Sequence, residues 1–134
     1  MEMCLLLIEA HPSDSRAHAL YGDFLSRDEK YQEAMLEYRK AVQLGSKEFA
    51  VYSQILILDS QLQDWDSMVK DGAEATSLFP DQPFAYLLSG IAQIQKKNFT
   101  TAVSNLNSGV KMVVDNPELE SRFYASLGEA YHEL

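Results

Sequence analysis

The residues with the widest chemical reach in this 134-residue chain are three histidines and one cysteine. His11, His18 and His132 share no ligand spacing, so they suggest no metal centre. Cys4 falls within an apolar run with no basic neighbour to stabilise a thiolate, which argues against nucleophilic catalysis and for burial. The carboxylate neighbours Asp64/Asp66 and Glu118/Glu120 have the spacing of an acid/base pair. They stand at turns and helix starts, however, where acidic groups complement the helix dipole and act as solvated caps. Gly22, Gly90 and Gly128 are too far apart for a phosphate-cradling loop. These residues therefore predict neither catalytic groups nor a cofactor or metal, and the question becomes what surface the chain presents.

Charge narrows the partners. Twenty acidic against eleven basic side chains give a formal net charge of −9, which opposes binding to a phosphate backbone or an anionic membrane. The early apolar run from Met3 to Ile8 is too short to span a bilayer and lacks the flanks of a signal peptide. A single cysteine cannot make an intrachain disulfide. The fold thus needs no oxidising compartment, which leans towards the cytoplasm without fixing it. The expected partner is a protein or peptide, with no nucleic acid and no membrane insertion.

Self-comparison supplies the elements that position this surface. Units beginning at Ser15, Phe49 and Pro83 fall into register at a 34-residue spacing, and a fourth begins at Ser121 after four extra residues. One column reads His18, Tyr52, Tyr86, Tyr124. The next two read Tyr21, Ile55, Ser89, Leu127 and Gly22, Leu56, Gly90, Gly128. Large residues at this spacing line one helical face, and a glycine beside them admits a second helix at close range, offsetting a helix-propensity cost of about 1 kcal/mol. A second amphipathic stretch repeats as Tyr31, Trp65, Phe99; Ala34, Met68, Ala102; Tyr38, Gly72, Leu106; and Ala41, Ala75, Gly109.

Polar turns at 27–30, 61–64 and 95–98 separate the two stretches of each unit. Gly45-Ser46, Pro80-Asp81 and Asn116-Pro117 punctuate the units. Helices are expected over residues 1–10, 15–27, 31–44, 49–62, 65–78, 83–96, 99–114 and 117–132, with no strand. The extra residues near 113–116 add a turn to the preceding helix or lengthen the loop.

A 34-residue helix-turn-helix unit with these columns resembles the tetratricopeptide repeat. The match is cleanest in the first unit, through Tyr21-Gly22, Tyr31, Ala34, Tyr38, Ala41 and Leu44, and in the segment Leu127-Gly128-Glu129-Ala130-Tyr131. The second unit departs most, with Leu56 in the glycine column, Met68 for a small residue and Asp59 in an apolar column. Gly72 replaces an aromatic there and is expected to make room for Leu56 or Met68. The resemblance implies an all-α, right-handed superhelical solenoid of antiparallel helix pairs. It divides into the end of a preceding repeat (1–14), a repeat (15–48), a divergent repeat (49–82), a repeat with the insertion (83–120) and a further first helix (121–134). In that register Cys4, Leu7, Ile8 and Ala10 belong to the apolar columns of a second helix, and both ends read as cut from a longer array.

By the same resemblance, first helices line a concave binding face. The peptide-binding positions would be Ser53 and Ile57 in the second unit and Phe84, Leu87, Ile91 and Ile94 in the third, rimmed by Arg16, Asp23, Arg122 and Glu129. The third-unit set forms an apolar stripe beyond the core face. It is either an open groove for an apolar peptide or amphipathic helix, or a face covered by other helices. The implied function is a protein-interaction scaffold. Self-assembly or docking within a larger protein is the alternative, and it leaves room for a homodimer through the groove or the ends. Some relatives hold chaperone C-terminal carboxylates through Lys, Arg and Asn. Here Ala19, Asp23, Gln54, Phe84 and Leu87 with Leu88 stand in that neighbourhood, so no chaperone-tail binding is expected.

Overall fold

A computed structural model describes residues 2–134, the side chains of residues 2–4 and of Leu7 excepted. For Cys4 and Leu7 the expectation of apolar columns lies outside the described side chains; Ile8 is half-buried, and Ala10, at the helix end, is exposed to solvent. Among the described residues eight helices follow one another: α1 (Glu2–Ala10), α2 (Ser15–Arg27), α3 (Tyr31–Gln43), α4 (Phe49–Gln61), α5 (Trp65–Leu78), α6 (Pro83–Gln95), α7 (Phe99–Val110) and α8 (Pro117–Glu133). No strand occurs among the described residues. The helices group into two compact units, residues 1–62 and 63–134.

Helix starts follow local chemistry. The Asp14 side chain accepts from the Arg16 N–H at 2.9 Å, and Asp64 accepts from the Ser67 N–H at 3.3 Å, each quieting an otherwise orphaned donor. Pro83 and Pro117 open α6 and α8, where a missing N–H costs nothing. Between successive helices the chain turns through one residue of left-handed backbone at three places: Glu29 (φ 61°), Gln63 (φ 55°) and Lys97 (φ 64°). Each is 34 residues from the next. At Glu29 and Lys97 a pair of backbone bonds closes the helix end, Lys30 N–H to Leu25 C=O at 2.9 Å and Asn98 N–H to Gln93 C=O at 2.8 Å.

In the first unit, Leu25, Ala34, Tyr38, Ala41, Val51, Ile55 and Leu58 form the core. Gly22 is what lets α3 close on α2, since a Cβ there would meet the Tyr38 ring at 2.9 Å. Asp59, the acidic intruder in an apolar column, is buried and paired with Arg39 at 3.7 Å.

In the second unit, Leu87, Ile94, Ala102, Leu106, Phe123, Leu127 and Ala130 form the core. A Cβ on Gly90 would come within 2.5 Å of Leu106. Gly72 keeps its space for Ser89 on α6, whose side chain and backbone lie about 3 Å from where a Cβ would stand. Small faces small across α5 and α6, Ser89 being what a Cβ on Gly72 would meet first.

The four extra residues leave α7 unextended, and the helix expected from residue 117 opens there. Helix α7 stops at Val110, four residues short of expectation, through turn bonds from Met112 to Gly109 and Val113 to Val110. Asp115 then takes left-handed backbone (φ 52°), and the Asn116 side chain accepts from the Leu119 N–H at 3.1 Å. That cap starts α8 at Pro117, one turn ahead of its column at Ser121, making it 17 residues long against 13 for α6. The turn is added to the following helix.

Candidate functional site

The third-unit stripe is mostly core. Leu87 is 0% and Ile94 7% exposed, and both pack in one cluster with Phe123, Leu127 and Ala130 of α8. They are withdrawn from any ligand. Phe84 and Ile91 are half-buried and lean on the same cluster. Helix α6 is apolar almost all round because α5, α7 and α8 all pack on it. The expected apolar groove is thus largely covered, and by helices of its own unit.

The remaining expected positions divide by unit. Ser53 and Ile57 are half-buried on α4, and the Ser53 hydroxyl donates to its own helix at Ala50 C=O, 3.0 Å away. Arg16 is exposed and folds back on its cap, Asp14, at 3.4 Å. Arg122 and Glu129 are exposed on α8.

Asp23 is the expected rim residue that the fold builds into a site. It accepts a short hydrogen bond from the Tyr38 hydroxyl. Tyr38 is almost wholly buried, so its hydroxyl needs a partner, and α2 supplies one across the helix pair. Burial first, and then the adjacent carboxylate, push that hydroxyl above the ordinary phenol range, keeping it a donor.

Two adjoining hollows open around this pair. One, of about 240 Å³, is walled by Ala19, Asp23, Tyr38, Glu48, Val51 and Gln54. The other, of about 340 Å³, is walled by Asp23, Ser26, Arg27, Tyr38 and Gln54. The Arg27 guanidinium lies 5.6 Å from the Phe24 ring centre. Tyr38, Arg27 and Glu48 were not among the expected site residues. The signal for Tyr38 was its phenol in a core column, which had to aim its polar end at a neighbouring helix.

The histidines stay apart. His18 is buried, with Nδ1 2.7 Å from Glu37 Oε2 and Nε2 2.9 Å from Pro12 C=O. His11 and His132 are exposed. Among the described residues no three His, Cys, Asp or Glu side chains converge as a metal site would require. No helix of the described residues is long and apolar enough to cross a membrane.

Solved structures share this fold. The TPR2B domain of yeast Sti1, solved as a complex with pHsp70, superposes with a TM-score of 0.80 over 90% of this chain and 98% of that one, at 17% identity. The fold is that of the tetratricopeptide repeat. The Arabidopsis OM64 TPR domain shares this tetratricopeptide fold at a TM-score of 0.78, covering 90% of this chain and 96% of that one at 14% identity. The first TPR of Spaghetti (RPAP3), bound to the HSP90 peptide SRMEEVD, gives 0.78 over 89% and 91% at 15% identity. In sequence, an Hsp70-Hsp90 organizing protein of Triticum aestivum is 26% identical over 98 residues, which is 73% of this chain. The chain spans 17% of the length of that relative. No protein-family model matches the chain.

Proposed function

We propose that the chain is a protein-interaction scaffold that holds an extended peptide or partner segment against α2 and α4 of its first unit, and that it is not a catalyst. The observation carrying this reading is the pair of adjoining hollows between those helices, where Asp23, Gln54 and Arg27 present hydrogen-bonding groups over a floor of Ala19 and Val51. A peptide backbone needs acceptors and donors at this density, and its side chains need apolar relief between them. Structural relatives solved with pHsp70 and with an HSP90 peptide support the use of this fold for binding.

The tail-binding chemistry of those relatives is not carried over. The peptide SRMEEVD is acidic, whereas the hollow here has Asp23 and Glu48 in its wall and no lysine. The alternative of self-assembly through the α6 stripe loses its surface, because Leu87 and Ile94 are buried within the unit.

The test is selection from a random peptide library followed by mapping of the winners by amide chemical shifts. Winners that shift Ala19, Asp23 and Gln54 support the reading. Winners confined to α6 or α8, or none from an exhaustive library, overturn it.

A further inference from the structure

Resting on that reading, we infer that the smaller hollow of the first unit is a subsite for a cationic side chain, a lysine or arginine of the bound peptide. The wall places two carboxylates, Asp23 on α2 and Glu48 at the start of α4, on one concavity of about 240 Å³. Asp23 is held from behind: the buried Tyr38 hydroxyl donates to its Oδ1, which fixes the carboxylate's orientation. The Glu48 side chain makes no cap hydrogen bond to its own helix and is exposed where it lines the hollow. Gln54 adds an amide oxygen to the same wall.

The floor is apolar. Ala19, Ala50 and Val51 line the hollow alongside these polar groups. Carboxylates over small aliphatic side chains match a long amphipathic cation, whose methylene stem packs while its head stays hydrogen-bonded. A ligand carboxylate would instead face two like charges.

Arg27 sets the limit of the subsite. It lies in the adjoining hollow with Asp23, Ser26, Tyr38 and Gln54, held near Phe24. A cation must therefore enter on the Glu48 side. An acceptor, such as a peptide carbonyl, suits the Arg27 side.

The experiment uses three alanine-rich nonapeptides, identical but for a central lysine, norleucine or glutamate, titrated into the whole chain and followed by the Gln54 side-chain amide and the Asp23 and Glu48 backbone amides. The lysine peptide should bind about tenfold tighter than the norleucine one, as expected for a charge-assisted hydrogen bond, with glutamate weakest. Glu48→Gln, which leaves the Tyr38 bond intact, should remove most of that preference. Arg27→Gln should raise lysine affinity, and Glu33→Gln on the exposed side of α3 should change nothing. Asp23→Asn serves as a second probe once circular dichroism shows it folded.

Equal affinities for lysine and norleucine at the mapped amides would sink the cationic subsite while leaving peptide binding intact. Shifts with none of the three peptides would count against the subsite, and a library that also maps nowhere on α2 and α4 would remove the underlying reading with it.

Discussion

His18 and Glu37 sit on different helices of the first unit, yet their side chains meet at 2.7 Å almost wholly out of solvent. The same imidazole reaches Pro12 C=O at 2.9 Å, and the same carboxylate takes Lys40 Nζ at 3.2 Å. One ring thereby ties the turn before α2 to the middle of α3. Replacing His18 by leucine leaves Glu37 buried with Lys40 alone and should cost about 2–3 kcal/mol. The double variant His18→Leu/Glu37→Met should recover part of that loss. Urea midpoints at constant m-value measure both, and additive losses would refute the coupling.

Overpacking provides a test of register. Gly90→Leu drives side-chain atoms into Leu106, which a Cβ alone would already approach to 2.5 Å, at a cost of about 1–3 kcal/mol or more. Ser108→Leu, on an exposed position of α7, should stay within about 0.5 kcal/mol of wild type. Equal thermal shifts would contradict the helix pairing.

The opposite sign is expected at Gly128. It shares a column with Gly22 and Gly90, but nothing lies within 4 Å of a Cβ there. Gly128→Ala should stabilise the chain by about 0.5–1 kcal/mol through helix propensity, read as a rise in melting temperature.

Left-handed turn residues offer a second gain. Lys97 holds φ 64° with a side chain that disfavours it, so Lys97→Gly should relieve up to about 1 kcal/mol. Gly45 holds φ 97°, so Gly45→Ala should destabilise by a similar amount, although no neighbour would be struck.

Alkaline pH should loosen the first unit through Tyr38. Its hydroxyl has a raised folded-state pKa, so the stability it contributes is complete below the unfolded value near 10 and is lost as pH climbs through the folded one. Urea denaturation between pH 9 and 11 should show a falling stability, with a shallower fall in Tyr38→Phe.

Much of this architecture was legible because one column pattern recurs every 34 residues, fixing which faces pair and where turns fall. The site was less legible. Phe84, Leu87, Ile91 and Ile94 have the spacing of a surface stripe, but periodicity cannot say that α8 lies over it, and Phe123 and Leu127 do. Asp23 was visible as a rim position, yet its partner Tyr38 was hidden in a core column that hydrophobic patterning reads as apolar. His18 was rightly placed in the interior, while Glu37 was invisible as its mate because a charged residue between core positions ordinarily points to water. The extra residues beside Asn116 carried their own answer in the Asn-Pro pair, which caps and starts a helix at once.

Partners within each unit are also near in sequence: Asp23 and Tyr38 are 15 residues apart, His18 and Glu37 nineteen. Closing such short loops costs little chain entropy, so the rate-limiting search should be brief. Refolding from urea on a millisecond scale or faster is the kinetic counterpart of helices that mostly pack on their neighbours along the chain.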